Sequence, residues 1–265
     1  IEDAKEQLAA ALADWPRAEV DRFIDRHYPD YWLRTETSKQ AAHARLVRRA
    51  EAEGRKLITD AVTDEFTAVT ELTVFAPNHP RLLALFAGAC AANGANILGA
   101  HITTTRDGFA LDTFLLAREF AHDEDEMRRA KRIETTIDRL LRGEGRLKAL
   151  LEKRAPGANR LEAFTVSPEV IINNQLSDRF TVIEVAGRDR TGLLYDLTSA
   201  ISDLSLDIAS AHITTFGEKA VDVFYVTDLT GKKIDGEARK KAISERLTAE
   251  LVGAPPGESR TVAHP

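Results

Sequence analysis

The chain has 265 residues, 43% of them apolar and 29% charged, and carries a formal net charge of -6. At roughly 150 residues per domain, this length suggests two domains with ordinary soluble cores. The acidic balance argues against a general nucleic-acid binder, whose surface must neutralise phosphates.

Residues 1–64 are predicted to be a helical segment. Ile1, Ala4, Leu8, Ala11 and Leu12 share one helical face, and so do Val20, Phe23, Ile24 and His27. Pro16 suits the first turn of the second helix, where its missing N–H costs nothing. The Tyr28-Pro29-Asp30-Tyr31-Trp32 cluster ends that helix, and a polar helix from Ser38 to Glu53 stops near Gly54.

The remainder repeats itself. Asn78-His79-Pro80-Arg81-Leu82-Leu83, Asn96-Ile97 and His101-Ile102-Thr103-Thr104 return as Asp189-Arg190-Thr191-Gly192-Leu193-Leu194, Asp207-Ile208 and His212-Ile213-Thr214-Thr215, at an offset of 111. After one dropped residue, Asp112-Thr113-Phe114 matches Asp222-Val223-Phe224. Solenoid units have periods of roughly 20–50 residues, so this is a duplicated domain. Each copy reads as a strand (Phe66 to Phe75; Phe180 to Val185), a turn, a helix, a hairpin of two alternating runs, and a second amphipathic helix. Asn78 and Asp189 are expected to cap the first helix of each copy. The first unit is expected over residues 65–175, with an extra helix (Arg146 to Arg154), a break at Ala155-Pro156-Gly157, and a closing strand formed by Phe164, Val166, Val170, Ile171 and Ile172. The second is expected over 176–265, with a weaker closing strand at Ser259 to Ala263. The resulting class is α+β: two ferredoxin-like βαββαβ units in tandem, with both helices of each unit on one sheet face and the other face free to meet a second sheet.

Chemistry is expected where the first strand enters the first helix. A helix N-terminus suits a carboxylate, and Gly192 allows close approach to the backbone. Asp189, with Asp207 taken to face it, could hold an ammonium or amide. The bland alternative is that Asp189 caps, Gly192 relieves a turn and Asp207 marks the next strand. His101 and His212 sit mid-strand at one parity and read as packing residues. His122-Asp123 reads as a solvated cap, and the run Arg128-Arg129, Lys131-Arg132 as ion-paired with the acidic turn before it. Cys90 is the sole cysteine, so no disulfide or thiolate cage can form within the chain, as expected in a reducing cytoplasm. No apolar run nears the roughly 18 residues of a membrane span, and no signal peptide is evident. The chain starts at Ile1 with Met127 as its only methionine, which suggests a piece of a longer polypeptide.

Asp-Arg-x-Gly-Leu-Leu at the first strand–helix loop, with Asp/Asn-Ile opening the next strand, resembles the ACT domain. The stretches Ala95 to Phe114, Pro168 to Asn174 and Asp178 to Leu197 further resemble the C-terminal tandem ACT region of the bifunctional uridylyltransferase/uridylyl-removing enzymes of the nitrogen regulator PII. The resemblance implies a regulatory module that senses glutamine through Asp189, Arg190, Gly192, Leu193, Asp207 and Ile208, and through Asn78, His79, Leu82, Asn96 and Ile97. It further implies pairing of ACT units within or between chains, PII as partner of the parent enzyme, and the end of an upstream HD domain in residues 1–64. No catalytic residues, metal or cofactor are expected in this chain; magnesium would belong to the parent's catalytic domains. An ACT module for another amino acid and an RRM-like nucleic-acid module are the alternatives, the latter disfavoured by few strand aromatics.

Overall fold

The computed structural model describes residues 1–152 and 166–252. Four helices come first: α1 (Glu2–Ala11), α2 (Arg17–Asp25), α3 (Pro29–Arg34) and α4 (Thr37–Glu53). Gly54 ends α4 in the left-handed conformation, φ 62°. The first unit follows as β1 (Ile58–Asp64), β2 (Val69–Pro77), α5 (Leu82–Ala92), β3 (Ile97–Thr103), β4 (Phe109–Ala117), α6 (Asp123–Leu141) and the short α7 (Leu147–Glu152). The second repeats it as β5 (Glu169–Asn173), β6 (Thr181–Arg188), α8 (Leu193–Asp203), β7 (Leu206–Phe216), β8 (Lys219–Asp228) and α9 (Glu237–Val252).

The eight strands form one antiparallel sheet in the order β1-β2-β4-β3-β7-β8-β6-β5. Alternation along the strands sends side chains to two faces. Leu72, Val74 and Phe114, with Ile183, Val185 and Phe224, lie in the core that α5, α6, α8 and α9 cover. On the opposite face, Ile58, Phe75 and Leu111 are buried with Leu8, Phe23, Trp32 and Val47 of the N-terminal helices.

The class is α+β as expected, but four details differ. Ile58–Asp64, assigned to the helical segment, is a strand paired with β2. Four of its seven residues are Thr or Asp, and its Val62 is exposed, so its apolar signal is weak. Phe66 lies in the intervening turn, 98% exposed, where Asp64 Oδ1 accepts its N–H at 2.9 Å. Second, Glu169–Asn173 does not close the first unit; it pairs with β6 as the outer edge of the second. The edge strand thus opens each unit, giving ββαββα. Third, the two sheets join edge to edge through β3 and β7, while the helical block occupies the far face of the first unit. Fourth, Tyr28 to Trp32 do not simply end a helix, because Pro29 starts the short α3. Phe164, the Ala155-Pro156-Gly157 break and the Ser259 to Ala263 strand lie outside the described residues.

The charged run on α6 is only partly solvated. Arg128 pairs with Glu124 and Asp125 at the surface, as expected. Arg129 turns inward, 2.5 Å from Glu126, with side-chain exposures of 1% and 0%. Glu126 accepts further bonds from the Glu119 and Phe120 amides and the Thr70 hydroxyl. Removing one partner of such a pair leaves a buried charge uncompensated. Glu126→Ala should therefore cost about 3 kcal/mol in urea unfolding, against less than about 0.5 kcal/mol for exposed Glu124→Ala. Equal midpoints for the two variants would refute the structural weight given to this pair.

Candidate functional site

The β3–β7 pairing is centred on His101 opposite His212, with Gly99 opposite Thr214 and Thr103 opposite Ser210. These pairs exchange under the 111-residue offset, so the junction has an approximate two-fold axis. Both strands carry a bulge at their start, between Ile97 and Gly99 and between Ile208 and Ser210. Bulges bend and re-aim a strand.

Two equivalent pockets result. One joins Asp189, Arg190, Gly192 and Leu193 of the second unit to Asn96 and Ile97 of the first. The other joins Asn78, His79, Arg81 and Leu82 of the first unit to Asp207 and Ile208 of the second. Every site residue expected from the sequence lines one of them, but the expected partnership is corrected. Asp189 does not face Asp207. Both β6 and β7 run antiparallel to β8 and so parallel to each other, which puts the start of β7 at the opposite end of the sheet from the β6–α8 loop. β3 runs antiparallel to β7, so its start arrives beside that loop instead. Asp189 accepts a hydrogen bond from the Asn96 side chain, a contact between units.

The loops are also built differently from the expectation. The residues capping α5 and α8 are Arg81 and Gly192, not Asn78 and Asp189, and no side-chain cap bond is made at either helix. Arg81 and Gly192 are both left-handed, at φ 76° and 88°. That conformation is free for glycine and strained for arginine. A Cβ at Gly192 would meet nothing within 4 Å, so the backbone angle requires the glycine, and space lies open above it. Asn78 is tied by its N–H to Gly108 O at 2.9 Å, and Asp189 by its N–H to Glu218 O at 2.8 Å. Arg190 folds onto Asp196 at 2.5 Å. Leu82 and Leu193 line the pockets while their side chains are buried in the core.

Sequence reasoning missed two carboxylates. Asp112 on β4 and Asp222 on β8 project into the two pockets, 1% and 2% exposed. Asp112 accepts the Thr103 N–H at 3.1 Å. Asp222 accepts from the Thr214 N–H, but its buried Oδ1 has no hydrogen-bond partner. Burial pushes the Asp112 carboxyl up to about 8. Burial, aided by the charge of Asp189, pushes that of Asp222 up to about 7. Burial likewise raises Asp189 itself. The available signal was an aspartate placed identically in two otherwise apolar strands. Each pocket has about 20 Å³ of free space, on the order of one water, so any larger ligand must part the two units.

The other flagged residues fall elsewhere. Cys90 is fully buried, its thiol pushed up to about 12 by burial. His122 precedes the first turn of α6, and Asp123 pairs with Arg118 at 2.6 Å. Among the described residues, no group of three or more His, Cys, Asp or Glu side chains could hold a metal. No described helix is long and apolar enough to cross a membrane.

Two stability effects should be measurable. A buried aspartate whose carboxyl titrates at about 8, against an ordinary 3.8 when unfolded, binds its proton more tightly in the folded state. The stability this gives is complete below pH 3.8 and is lost as pH rises through 8. Asp112→Asn should therefore raise the melting temperature at pH 9 and change it least near pH 4; an equal change at both would refute the assignment. Arg81→Gly, relieving the left-handed arginine, should stabilise by about 1 kcal/mol in denaturant unfolding, and any loss of stability would refute the strain.

Comparison with known proteins places the chain in a family. A model of the ACR9-like, ACT-like domain matches residues 169–255. Bifunctional uridylyltransferase/uridylyl-removing enzymes match nearly the whole chain. That of Bradyrhizobium diazoefficiens is 53% identical over 243 residues, covering 92% of this chain and 26% of the relative. That of Nitrobacter hamburgensis is 52% identical over 247 residues, covering 93% and 26%. That of Rhodopseudomonas palustris is 50% identical over 260 residues, covering 97% and 28%. Among solved structures, aspartate kinase from Synechocystis aligns with a TM-score of 0.38 at 12% identity, over 71% of this chain and 28% of that one. The chain is an ACT-domain relative of the bifunctional uridylyltransferase/uridylyl-removing enzymes, matching a part that makes up 26% to 28% of their length.

Proposed function

We propose that this chain is the amino-acid-sensing part of a bifunctional uridylyltransferase/uridylyl-removing enzyme that acts on PII in the cytoplasm, and that its effector is glutamine. The single observation that supports this reading is the pocket joining Asp189, Asn96 and Asp222 at the α8 N-terminus. It offers an amino acid complementary groups at both ends. The backbone N–H groups of α8, left without a side-chain cap, suit a carboxylate. Asp189 and the unpartnered Oδ1 of Asp222 suit an ammonium, which would relieve a buried acceptor. The pocket at Asn78 is the weaker of the two, because Arg81 replaces the glycine and Asp112 Oδ1 already accepts the Thr103 amide.

The small free volume gives the regulatory logic. A ligand that fits only when the two units shift binds one arrangement better than another, and so biases whatever is attached to the helical block. The uridylyl-transferring and uridylyl-removing domains, their magnesium and their contact with PII would lie in the rest of the longer enzyme. An RRM-like role is disfavoured because the helical block covers the helix-free sheet face of the first unit.

Titration calorimetry with glutamine, glutamate and asparagine tests the reading. Glutamine should bind saturably to the folded chain, and Asp222→Asn should weaken it at least about tenfold, which is about 1.4 kcal/mol. Binding an ammonium needs the Asp222 carboxylate, so affinity should fall as pH drops through about 7, where that group gains its proton. Glutamine affinity unchanged in Asp222→Asn, or saturable binding of another amino acid but not glutamine, would overturn the proposal.

A further inference from the structure

A second cavity lies on the opposite face of the same junction, under the helical block. Its free volume is about 270 Å³, against about 20 Å³ for either loop pocket. It is bounded by the α3–α4 connection, the start of α4, and strands β3, β4 and β7. Arg34, Lys39, His43, His101 and His212 line it, over a floor made by Leu115 and by the strands at Ala100 and Ile213, whose side chains pack on the other face. The size approaches the lower end of small-molecule sites, and the mixture of apolar floor with a few convergent polar groups is typical of them.

The polar groups share one preference. His101 and His212 meet across the β3–β7 pair with ring centroids 4.8 Å apart. The His101 ring also donates to the Arg34 carbonyl, tying β3 to the end of α3. Arg34 has no acidic partner among the described residues; its guanidinium rests 5.5 Å from the Tyr225 ring. Burial lowers the affinity of both histidines for protons. The charged neighbours that act on them do the same, Arg34 on both and Lys39 on His101. His43, held by Tyr31 Oη at 3.0 Å and Thr113 Oγ1 at 3.4 Å, is pushed down to about 4 by burial, Lys39 and His101. Of the two acids nearby, Glu71 is engaged by Lys39 at 2.6 Å, and Glu36 lies exposed at the rim. Arg34 and Lys39 are thus the charged side chains that disfavour protonation of these imidazoles, and the carboxylate lining the cavity, Glu36, sits at its exposed rim.

We propose that this cavity is a binding site for a small oxyanion, a carboxylate or a phosphate, gripped by Arg34, His101 and His212. An anion there would offset the charge of Arg34, which has no acidic partner among the described residues, and allow the two histidines to protonate. It would also bridge the helical block, the first unit and the second, which otherwise meet at this point through Arg34 on Tyr225 and His101 on the Arg34 carbonyl. The site shares no lining residue with the Asn78 pocket and only Ile213 with the Asp189 pocket, and it does not depend on glutamine sensing.

The test is nuclear magnetic resonance of the histidine rings in the full chain, titrated separately with malonate and with inorganic phosphate. One of the two should shift the His101 and His212 signals saturably at millimolar concentration, and the tighter binder identifies the source of the charge. Saturation should raise the midpoints of both rings, and affinity should increase as pH falls through those raised midpoints, opposite in sign to the amino-acid site. Exposed Arg34→Ala and, independently, His212→Gln should each weaken binding at least tenfold, while Arg17→Ala on α2 should not. If neither anion moves the two rings, or if the shifts survive Arg34→Ala, the cavity is not an anion site.

Discussion

The pairing of β3 with β7 is the constraint on which the rest of the molecule depends. Main-chain hydrogen bonds across this one strand pair turn two four-stranded sheets into a single sheet of eight. The pairing sets α5 against α8, close enough that a Cβ on Gly88 would run into Tyr195 of α8, with Leu147 of α7 crowding the same spot. It also brings each strand start to the other unit's loop and places the two mid-strand histidines in contact. Both candidate sites, one on each face, are consequences of that register. A slip of one residue would exchange the faces of every side chain on the strand, sending His101 into the helix-covered core and Ala100 to the cavity.

The energetic character of the loop pockets follows from what the register buries. A carboxylate with a single amide donor is costly in an apolar strand environment. Asp112 and Asp222 hold that costly position in both copies, with neutralisation by a proton as the relief that the unliganded chain can find alone. Carboxyls shifted this far by burial cluster at functional sites. A structural role is met elsewhere by a buried ion pair, Glu126 with Arg129, where six hydrogen bonds converge on one carboxylate and its guanidinium and only the Arg129 Nε is left without a partner among the described residues.

Much of this was legible in the amino-acid sequence, because duplication prints each element twice. The 111-residue offset located both loops, both strand starts and the mid-strand histidines, and alternation with helical periodicity assigned the elements between them. What could not be read was non-local. Ile58–Asp64 and Glu169–Asn173 are edge strands, short or half polar, whose membership is decided by the neighbour they pair with and not by their own residues. The exchange of partners between units follows from strand direction across the whole sheet, which no local motif encodes. Arg129 reads as one more surface cation on an acidic helix until Thr70 and the Glu119–Phe120 amides are brought beneath it. The cap assignments failed for a related reason: Asn78 and Asp189 are held to the β-hairpin behind them, leaving Arg81 and Gly192 to turn the chain into the helix.

Fusion of the two units in one polypeptide has an evolutionary consequence. In a symmetric homodimer, each substitution appears in both copies of an interface site, so the sites cannot specialise separately. Here the halves are covalently joined, the junction forms without dependence on protein concentration, and each pocket takes its loop from one gene segment and its strand start from the other. Arginine at position 81, where the second unit has Gly192, therefore shapes one pocket and not its twin. A change in the Asn96 strand start acts on the second unit's loop, and one at Asp207 on the first's. Such a duplicated module can keep one site under selection for a ligand while the other is free to change, and the left-handed Arg81 opposite the left-handed Gly192 is the point where the two loops differ in backbone freedom.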